Sequence, residues 1–108
     1  MSTQSRAQVC HRYESKDGVE VIIDVVCPGC GYGHPFRIQG DGPKWQWNGD
    51  MVKPTFTPSM LCNATVNNGE KRCHSFVIDG NIQFLSDCWH DLKGQTVPLP
   101  PYDEEVAG

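Results

Sequence analysis

The 108-residue chain has a mass of 12.0 kDa, which leads us to expect one domain and excludes two. Its formal net charge of −4 and its nine scattered Lys and Arg residues disfavour nucleic acid as a partner. No apolar run reaches the roughly 18 residues that a membrane span needs. We therefore expect a protein that works in the cytoplasm without contacting a membrane.

The composition favours strands over helices. Valine and isoleucine outnumber alanine and leucine by 15 to 7. Large apolar residues are few, so the predicted core is thin. The six cysteines and four histidines would supply the missing stability through a metal ion or disulfides, and the reducing cytoplasm favours metal.

The predicted elements begin after an N-terminal segment, residues 1–18, that we expect to be flexible. The β-branched run from Val19 to Val26 predicts a strand. A turn dense in glycine and proline follows over residues 27–35, and a return strand begins at Phe36. The dipeptide Asn48-Gly49 is typical of a hairpin. The prolines within residues 53–59 then predict an edge strand or an ordered loop.

The second half of the chain carries the clearest hairpin. A short strand is predicted from Met60 to Val66, and two apolar runs flank Asp79-Gly80 between Ser75 and Leu85. Asp87 is predicted to cap a single helical turn. Residues 102–108 should form a frayed tail, which leaves residues 19–101 as the folded domain.

Two clusters of cysteine and histidine predict a metal site. Cys27 and Cys30 have the C-x-x-C spacing at which two thiolates grip one ion from a tight turn. The second cluster brackets the hairpin. The candidate ligands are Cys27, Cys30, Cys73, His74, Cys88 and His90. Thiolate ligands favour Zn²⁺ as the ion. The alternatives are buried free thiols and a redox-active cysteine pair.

The hairpin register decides which of these ligands share a face. A two-residue turn at Asp79-Gly80 places Cys73 on the face of Cys88, whereas a three-residue turn places His74 there. The apolar pattern favours the three-residue turn, and the Asp-Gly dipeptide favours the two-residue turn. We follow the apolar pattern. The preferred ligand set is Cys27, Cys30, His74 and Cys88, with Cys73 and His90 in reserve.

The number of protein ligands distinguishes two functions. Four protein ligands would make the ion structural, in a zinc-ribbon-like site that joins the C-x-x-C knuckle to a β-hairpin. Three ligands and a water would allow zinc-dependent hydrolysis, with Asp87, Asp91 or the unused histidine as the general base. Catalytic zinc more often has histidine and carboxylate ligands, so we prefer the structural interpretation.

One further residue could belong to the metal site. His34 follows the C-x-x-C turn and is either a fifth candidate ligand or a hydrogen-bonding loop residue. Cys10 and Cys62 have no partner at ligand spacing, so we interpret them as free thiols.

The remaining aromatic and hydroxyl residues receive structural interpretations. Trp45 and Trp47 could stack on a nucleic-acid base or a sugar, but their strand spacing favours packing. Thr55, Thr57 and Ser59 have no nearby basic residue poised as a partner, so we do not expect them to be nucleophiles.

An ordered series of motifs resembles a known family of small proteins. The motifs are Cys27-Pro-Gly-Cys-Gly with His34, Trp47-Asn-Gly, Pro54-Thr-Phe-Thr-Pro-Ser, Cys73-His-Ser-Phe-Val, Asp79-Gly-Asn-Ile-Gln-Phe-Leu, Asp87-Cys-Trp-His and Leu92-Lys-Gly-Gln-Thr-Val-Pro-Leu-Pro. They resemble a domain family of unknown function from tailed phages and prophages, often labelled "ammonia monooxygenase". The resemblance runs from about Val26 to Pro100, and Cys10 and Cys62 fall outside its pattern.

The resemblance implies a phage-borne zinc-binding protein in the host-cell cytoplasm. It implies no activity, and we reject the label because enzymes of that name are membrane copper assemblies. We therefore expect a small β-rich accessory protein with structural Zn²⁺ that binds a host or phage protein factor. A zinc-dependent hydrolase is the alternative.

Overall fold

The computed structural model describes residues 8–62 and 70–107 of the chain. These residues form eight short strands and one helical turn. The strands are β1 (Cys10–Glu14), β2 (Val21–Cys27), β3 (Tyr32–Gln39), β4 (Gln46–Trp47), β5 (Phe56–Cys62), β6 (Cys73–Ile78), β7 (Asn81–Phe84) and β8 (Thr96–Pro98), and the helix is α1 (Glu104–Ala107). The predicted mainly-β class is confirmed.

The strands form two antiparallel sheets. The first has the order β1-β2-β3, and the second has the order β4-β5-β6-β7-β8. Their apolar residues join in one buried cluster, in which Phe36 of β3 stacks on Phe56 of β5 with ring centroids 4.0 Å apart. Trp45 packs edge-on against Phe36, and Trp47 stacks on Phe56. The packing interpretation of both tryptophans is therefore confirmed.

The hairpin of β6 and β7 adopts the register that we did not prefer. Val77 lies opposite Ile82 and Ser75 opposite Phe84, as a two-residue turn requires. The turn residues Asp79 and Gly80 both have positive φ, 51° and 82°. Such a turn matches the twist of paired strands, and its geometry outweighs the apolar pattern here. The preference for the three-residue turn is wrong, and the side chains of Cys73 and His74 lie on the faces opposite to those expected.

Three other expectations are modified by the structure. Strand β1 lies inside the segment that we predicted to be flexible, and it pairs with β2 along its whole length. In the predicted frayed tail, Tyr102 donates a hydrogen bond to Asp24 at 2.8 Å. The helical turn predicted from Asp87 is wrong. The backbone around Asp87 instead forms separate turns, which are closed by hydrogen bonds such as that from the Cys88 N–H to the Leu85 carbonyl at 3.2 Å.

Some expectations fall outside the described residues. These are the N-terminal tail over residues 1–7 and the end of the strand predicted to run from Met60 to Val66. Within the described residues, no helix is long and apolar enough to cross a membrane.

The stack of Phe36 on Phe56 should be a main source of stability. Phe56 is 1% exposed, so replacing it with alanine leaves a cavity between the two sheets. We expect Phe56→Ala to lower the free energy of unfolding by about 3–5 kcal/mol in chemical denaturation. Val19→Ala, at a position that is 55% exposed, is the control and should change it by less than about 0.5 kcal/mol. Equal effects of the two substitutions would contradict this packing.

Candidate functional site

Strand β6 carries two adjacent residues that serve two different clusters. Successive side chains of a strand point to opposite faces. Cys73 is fully buried and faces the interior, whereas His74 lies on the outer face of the second sheet, opposite Leu61 of β5. The inner cluster consists of thiols and imidazole. The outer cluster consists of Ser59, His74 and Asp87.

The inner cluster brings together Cys27, Cys30, His34 and Cys73. One ligand atom from each lies within 4.8 Å of the others. Bond lengths of about 2.3 Å from zinc to sulfur in a tetrahedral site imply sulfur atoms about 3.8 Å apart. The Sγ atoms of Cys27 and Cys73 are 4.0 Å apart, and all six cysteines of the chain are free. The cluster therefore has the geometry to hold a metal ion.

The knuckle between β2 and β3 presents two of these thiols. The N–H of Cys30 donates to the sulfur of Cys27 at 3.3 Å, and the N–H of Gly31 donates to the carbonyl of Cys27 at 2.9 Å. Gly29 lies directly against the imidazole ring of His90, and a Cβ there would overlap the ring. The tight turn thus needs glycine where it meets the residues after β7.

His34 supplies the fourth ligand atom. Its ring is 1% exposed, and its Nδ1 lies 3.3 Å from the sulfur of Cys62. Its buried Nε2 finds no hydrogen-bond partner among the described residues. A buried polar atom without a partner is costly, and a metal ion would satisfy it. This orphaned atom fits a site in which Nε2 binds the metal and Cys62 lies behind the ring.

The electrostatics of the inner cluster favour positive charge at its centre. Burial alone would lower the pKa of His34, but the thiols of Cys27 and Cys30 raise it to about 12. Hydrogen bonds from Cys27 and Cys73 lower the pKa of the Cys30 thiol, and the contact with Cys27 raises that of Cys73. The Cys30 thiol thus loses its proton readily, whereas the Cys73 thiol needs a nearby cation to become a thiolate.

Cys73, Cys88 and His90 form a second group that shares one thiol with the first. His90 Nδ1 accepts a hydrogen bond from the Leu92 N–H at 3.3 Å, and burial lowers the pKa of His90. A neutral ring that accepts at Nδ1 carries its proton on Nε2, which lies 3.6 Å from the sulfur of Cys73. In this tautomer, His90 can donate a hydrogen bond to the sulfur of Cys73. The first group, with four ligand atoms, fits a metal better.

The outer cluster has the order of a serine, a histidine and a carboxylate. Ser59 Oγ lies 3.1 Å from His74 Nε2, and His74 Nδ1 lies 3.4 Å from Asp87 Oδ2. An imidazole in this position can remove the hydroxyl proton, while the carboxylate holds the ring in the required tautomer. The Asp87 side chain is 43% exposed, so it is held in a wetter environment than the buried aspartate of familiar triads.

An irregularity in β5 positions Ser59. The pairing of β5 with β6 shifts register between Phe56 and Met60, so Ser59 belongs to a bulge. Bulges re-aim side chains and are common beside active sites. The indole N–H of Trp45 donates to the carbonyl of Ser59 at 3.2 Å and thereby holds the backbone of the bulge.

The structure separates the six candidate ligands. Cys27, Cys30 and Cys73 lie in the inner cluster, Cys88 and His90 lie beside it, and His74 lies in neither metal-binding group. His34 completes the inner cluster, although the sequence predicted it only as a fifth candidate ligand. The statement that Ser59 has no nearby basic residue is wrong. His74 is 15 positions away in sequence, and only the pairing of β5 with β6 brings it close.

Comparison with known proteins gives one family. Residues 2–85 match the family model described as bacterial ubiquitination-like system serine protease, BubE. The chain belongs to the BubE family. No curated protein and no solved structure matches the chain.

The BubE match bears directly on the two clusters. It includes Ser59, His74 and all four residues of the inner cluster, and it ends before Asp87. The family name indicates a component of a bacterial ubiquitination-like system. The sequence resemblance indicated a phage zinc-binding family instead, and a phage origin stays a prediction.

We expect metal content to depend on the inner cluster. Cys30→Ser and His34→Ala each remove one ligand and should reduce metal content in elemental analysis of the purified protein by at least half, because three ligands bind far more weakly. Cys10→Ser, which removes a buried thiol in β1, is the matched control and should retain the metal. Retention of metal by His34→Ala together with its loss from His90→Ala would assign the ion to the second group.

Proposed function

We propose that this BubE-family chain is a serine protease with a structural zinc ion. Ser59 is the nucleophile, His74 is the general base, and Asp87 orients His74. The observation that carries the proposal is the continuous contact from Ser59 Oγ through the imidazole to Asp87, at 3.1 Å and 3.4 Å. The family description, a serine protease, supports the same chemistry independently.

The chemistry follows from these contacts. Ser59 Oγ attacks the carbonyl carbon of the substrate peptide bond as His74 Nε2 accepts the hydroxyl proton. The resulting imidazolium donates that proton to the leaving nitrogen, the carbon–nitrogen bond breaks, and an acyl ester remains on Ser59. Water then attacks the ester with His74 as the base, which releases the acid and restores the hydroxyl.

The inner cluster would hold Zn²⁺ through Cys27, Cys30, His34 and Cys73. Three thiolates and one imidazole suit this ion, and four protein ligands leave no position for a reactive water. The zinc would therefore be structural, as first predicted. A zinc-dependent hydrolase is the weaker alternative, since Asp87 contacts the imidazole of His74 on the opposite face of β6.

The substrate class comes from the family description. We propose that the chain cleaves a protein component of a bacterial ubiquitination-like system, which replaces the predicted host or phage factor as its partner. The outer face of β6 and β5 is open for such a substrate at Leu61, which is 48% exposed. A cytoplasmic location fits the thiol-rich site and stays a prediction.

Ser59→Ala should abolish covalent labelling by a fluorophosphonate probe and lower kcat for p-nitrophenyl acetate by at least about 10³-fold, because no other group replaces the nucleophile. Mass spectrometry of the labelled wild-type protein should locate the adduct on Ser59. Thr57→Ala, at an exposed hydroxyl on the same strand, is the matched control and should label normally. Labelling of Ser59→Ala at the wild-type rate would disprove the triad.

Asp87→Asn should lower kcat for the same ester by about 10- to 10³-fold while the fold and metal content stay unchanged. The amide favours the wrong imidazole tautomer, although the exposure of Asp87 makes the loss smaller than for a buried aspartate. Asp91→Asn is the control, because its carboxylate is absent from the described contacts of His74. A kcat that is unchanged by Asp87→Asn would remove this residue from the mechanism.

Removal of the zinc with a chelator should unfold the protein and stop esterase activity together. A structural zinc site contributes on the order of 10 kcal/mol, comparable to the whole stability of a small domain. Circular dichroism and ester hydrolysis followed during chelation should change in parallel. A folded, metal-free protein with full activity would contradict the structural assignment.

A further inference from the structure

The thiol of Cys88 forms hydrogen bonds with both the N–H and the carbonyl of His74. The N–H of His74 donates to the Cys88 sulfur at 3.2 Å, and the Cys88 S–H donates to the carbonyl of His74 at 3.0 Å. Cys88 is 5% exposed, so water does not compete for these contacts. The thiol is thereby engaged as both donor and acceptor with the backbone, although its sulfur lies within 4.8 Å of the Cys73 sulfur.

These contacts join the segment that carries Asp87 to the strand that carries His74. The Leu85 N–H donates to the His74 carbonyl at 2.9 Å, and the Trp89 N–H donates to the Arg72 carbonyl at 2.9 Å. Cys88 lies between these two backbone bonds and is the residue next to Asp87. Its thiol therefore holds the middle of the segment against His74, directly beside the residue that carries the Asp87 carboxylate.

The direct contact between Asp87 and His74 is too weak to hold this geometry. It is 3.4 Å long, and the two side chains are 43% and 27% exposed. Ion pairs at such exposure contribute little because water screens them and the side chains remain mobile. The position of the carboxylate relative to the imidazole must then come from the backbone beneath it.

We propose that Cys88 is a positioning residue of the Ser59–His74–Asp87 triad and is not a metal ligand. It acts through the backbone of His74 and through the adjacent Asp87, and it does not touch the substrate. The inference rests on the proposed function. It also accounts for a cysteine that the sequence placed among the first-choice metal ligands.

The test compares Cys88→Ala, which removes both contacts, with Cys88→Ser, which keeps a donor and an acceptor at shorter reach. Metal content, the circular dichroism spectrum, and kcat and KM for p-nitrophenyl acetate are measured for each variant. We expect Cys88→Ala to keep its metal and its KM and to lose about tenfold in kcat, because misalignment of the triad acts on the transition state. Cys88→Ser should recover most of that loss.

Cys10→Ala is the matched control, since Cys10 is also a buried free thiol but lies in β1 of the other sheet. Its kcat should equal that of the wild-type protein. If Cys88→Ala does not fold, Cys88→Val takes its place, because valine fills the space of the thiol without offering a donor or an acceptor.

The outcomes separate this inference from the function on which it rests. Loss of metal from Cys88→Ser would make Cys88 a ligand and overturn the inference. A wild-type kcat in a folded, metal-replete Cys88→Ala protein would also overturn it, while fluorophosphonate labelling of Ser59 leaves the triad intact. A wild-type protein in which the probe does not label Ser59 would overturn both proposals.

Discussion

The antiparallel pairing of β5 with β6 is the constraint on which both clusters depend. Leu61 lies opposite His74 and Cys62 opposite Cys73, and this register determines which face each residue occupies. Because side chains alternate along a strand, Cys73 faces the buried thiols while His74 faces Ser59. A slip of one residue would exchange the two faces and destroy both clusters at once. One strand pairing thus fixes a proposed metal site and a proposed catalytic site.

The two clusters also differ in their relation to solvent, and this difference suits their proposed roles. Cys27, Cys73 and His34 are buried to 1% exposure or less, where thiolates are protected and a metal ion would replace a larger apolar core. The side chains of His74 and Asp87 are partly exposed, as a site open to a protein substrate requires. The first cluster would supply stability and the second would supply chemistry, with the backbone of β6 between them.

Residues 85–90 connect the clusters at a second point. Their side chains reach both: Asp87 contacts His74, and His90 contacts the sulfur of Cys73. Trp89 donates from its indole nitrogen to the sulfur of Cys30 at 3.5 Å. A disturbance of the metal cluster would therefore reach the carboxylate of the triad through this short segment. Substitutions of the inner-cluster residues are therefore expected to lower both stability and activity.

The sequence by itself determined the features that depend on neighbouring residues. The β-branched run before Cys27, the C-x-x-C knuckle and the turn residues Asp79 and Gly80 were all readable, because backbone preference and ligand spacing act over a few positions. Only the tertiary structure decided which histidine joins the thiols and which serine meets a base. His34 reaches Cys73, and Ser59 reaches His74, through strand pairing and sheet packing over long sequence separations. The register of β6 with β7 was set by a turn geometry that opposed the apolar pattern, and the bulge at Ser59 left no periodic signal.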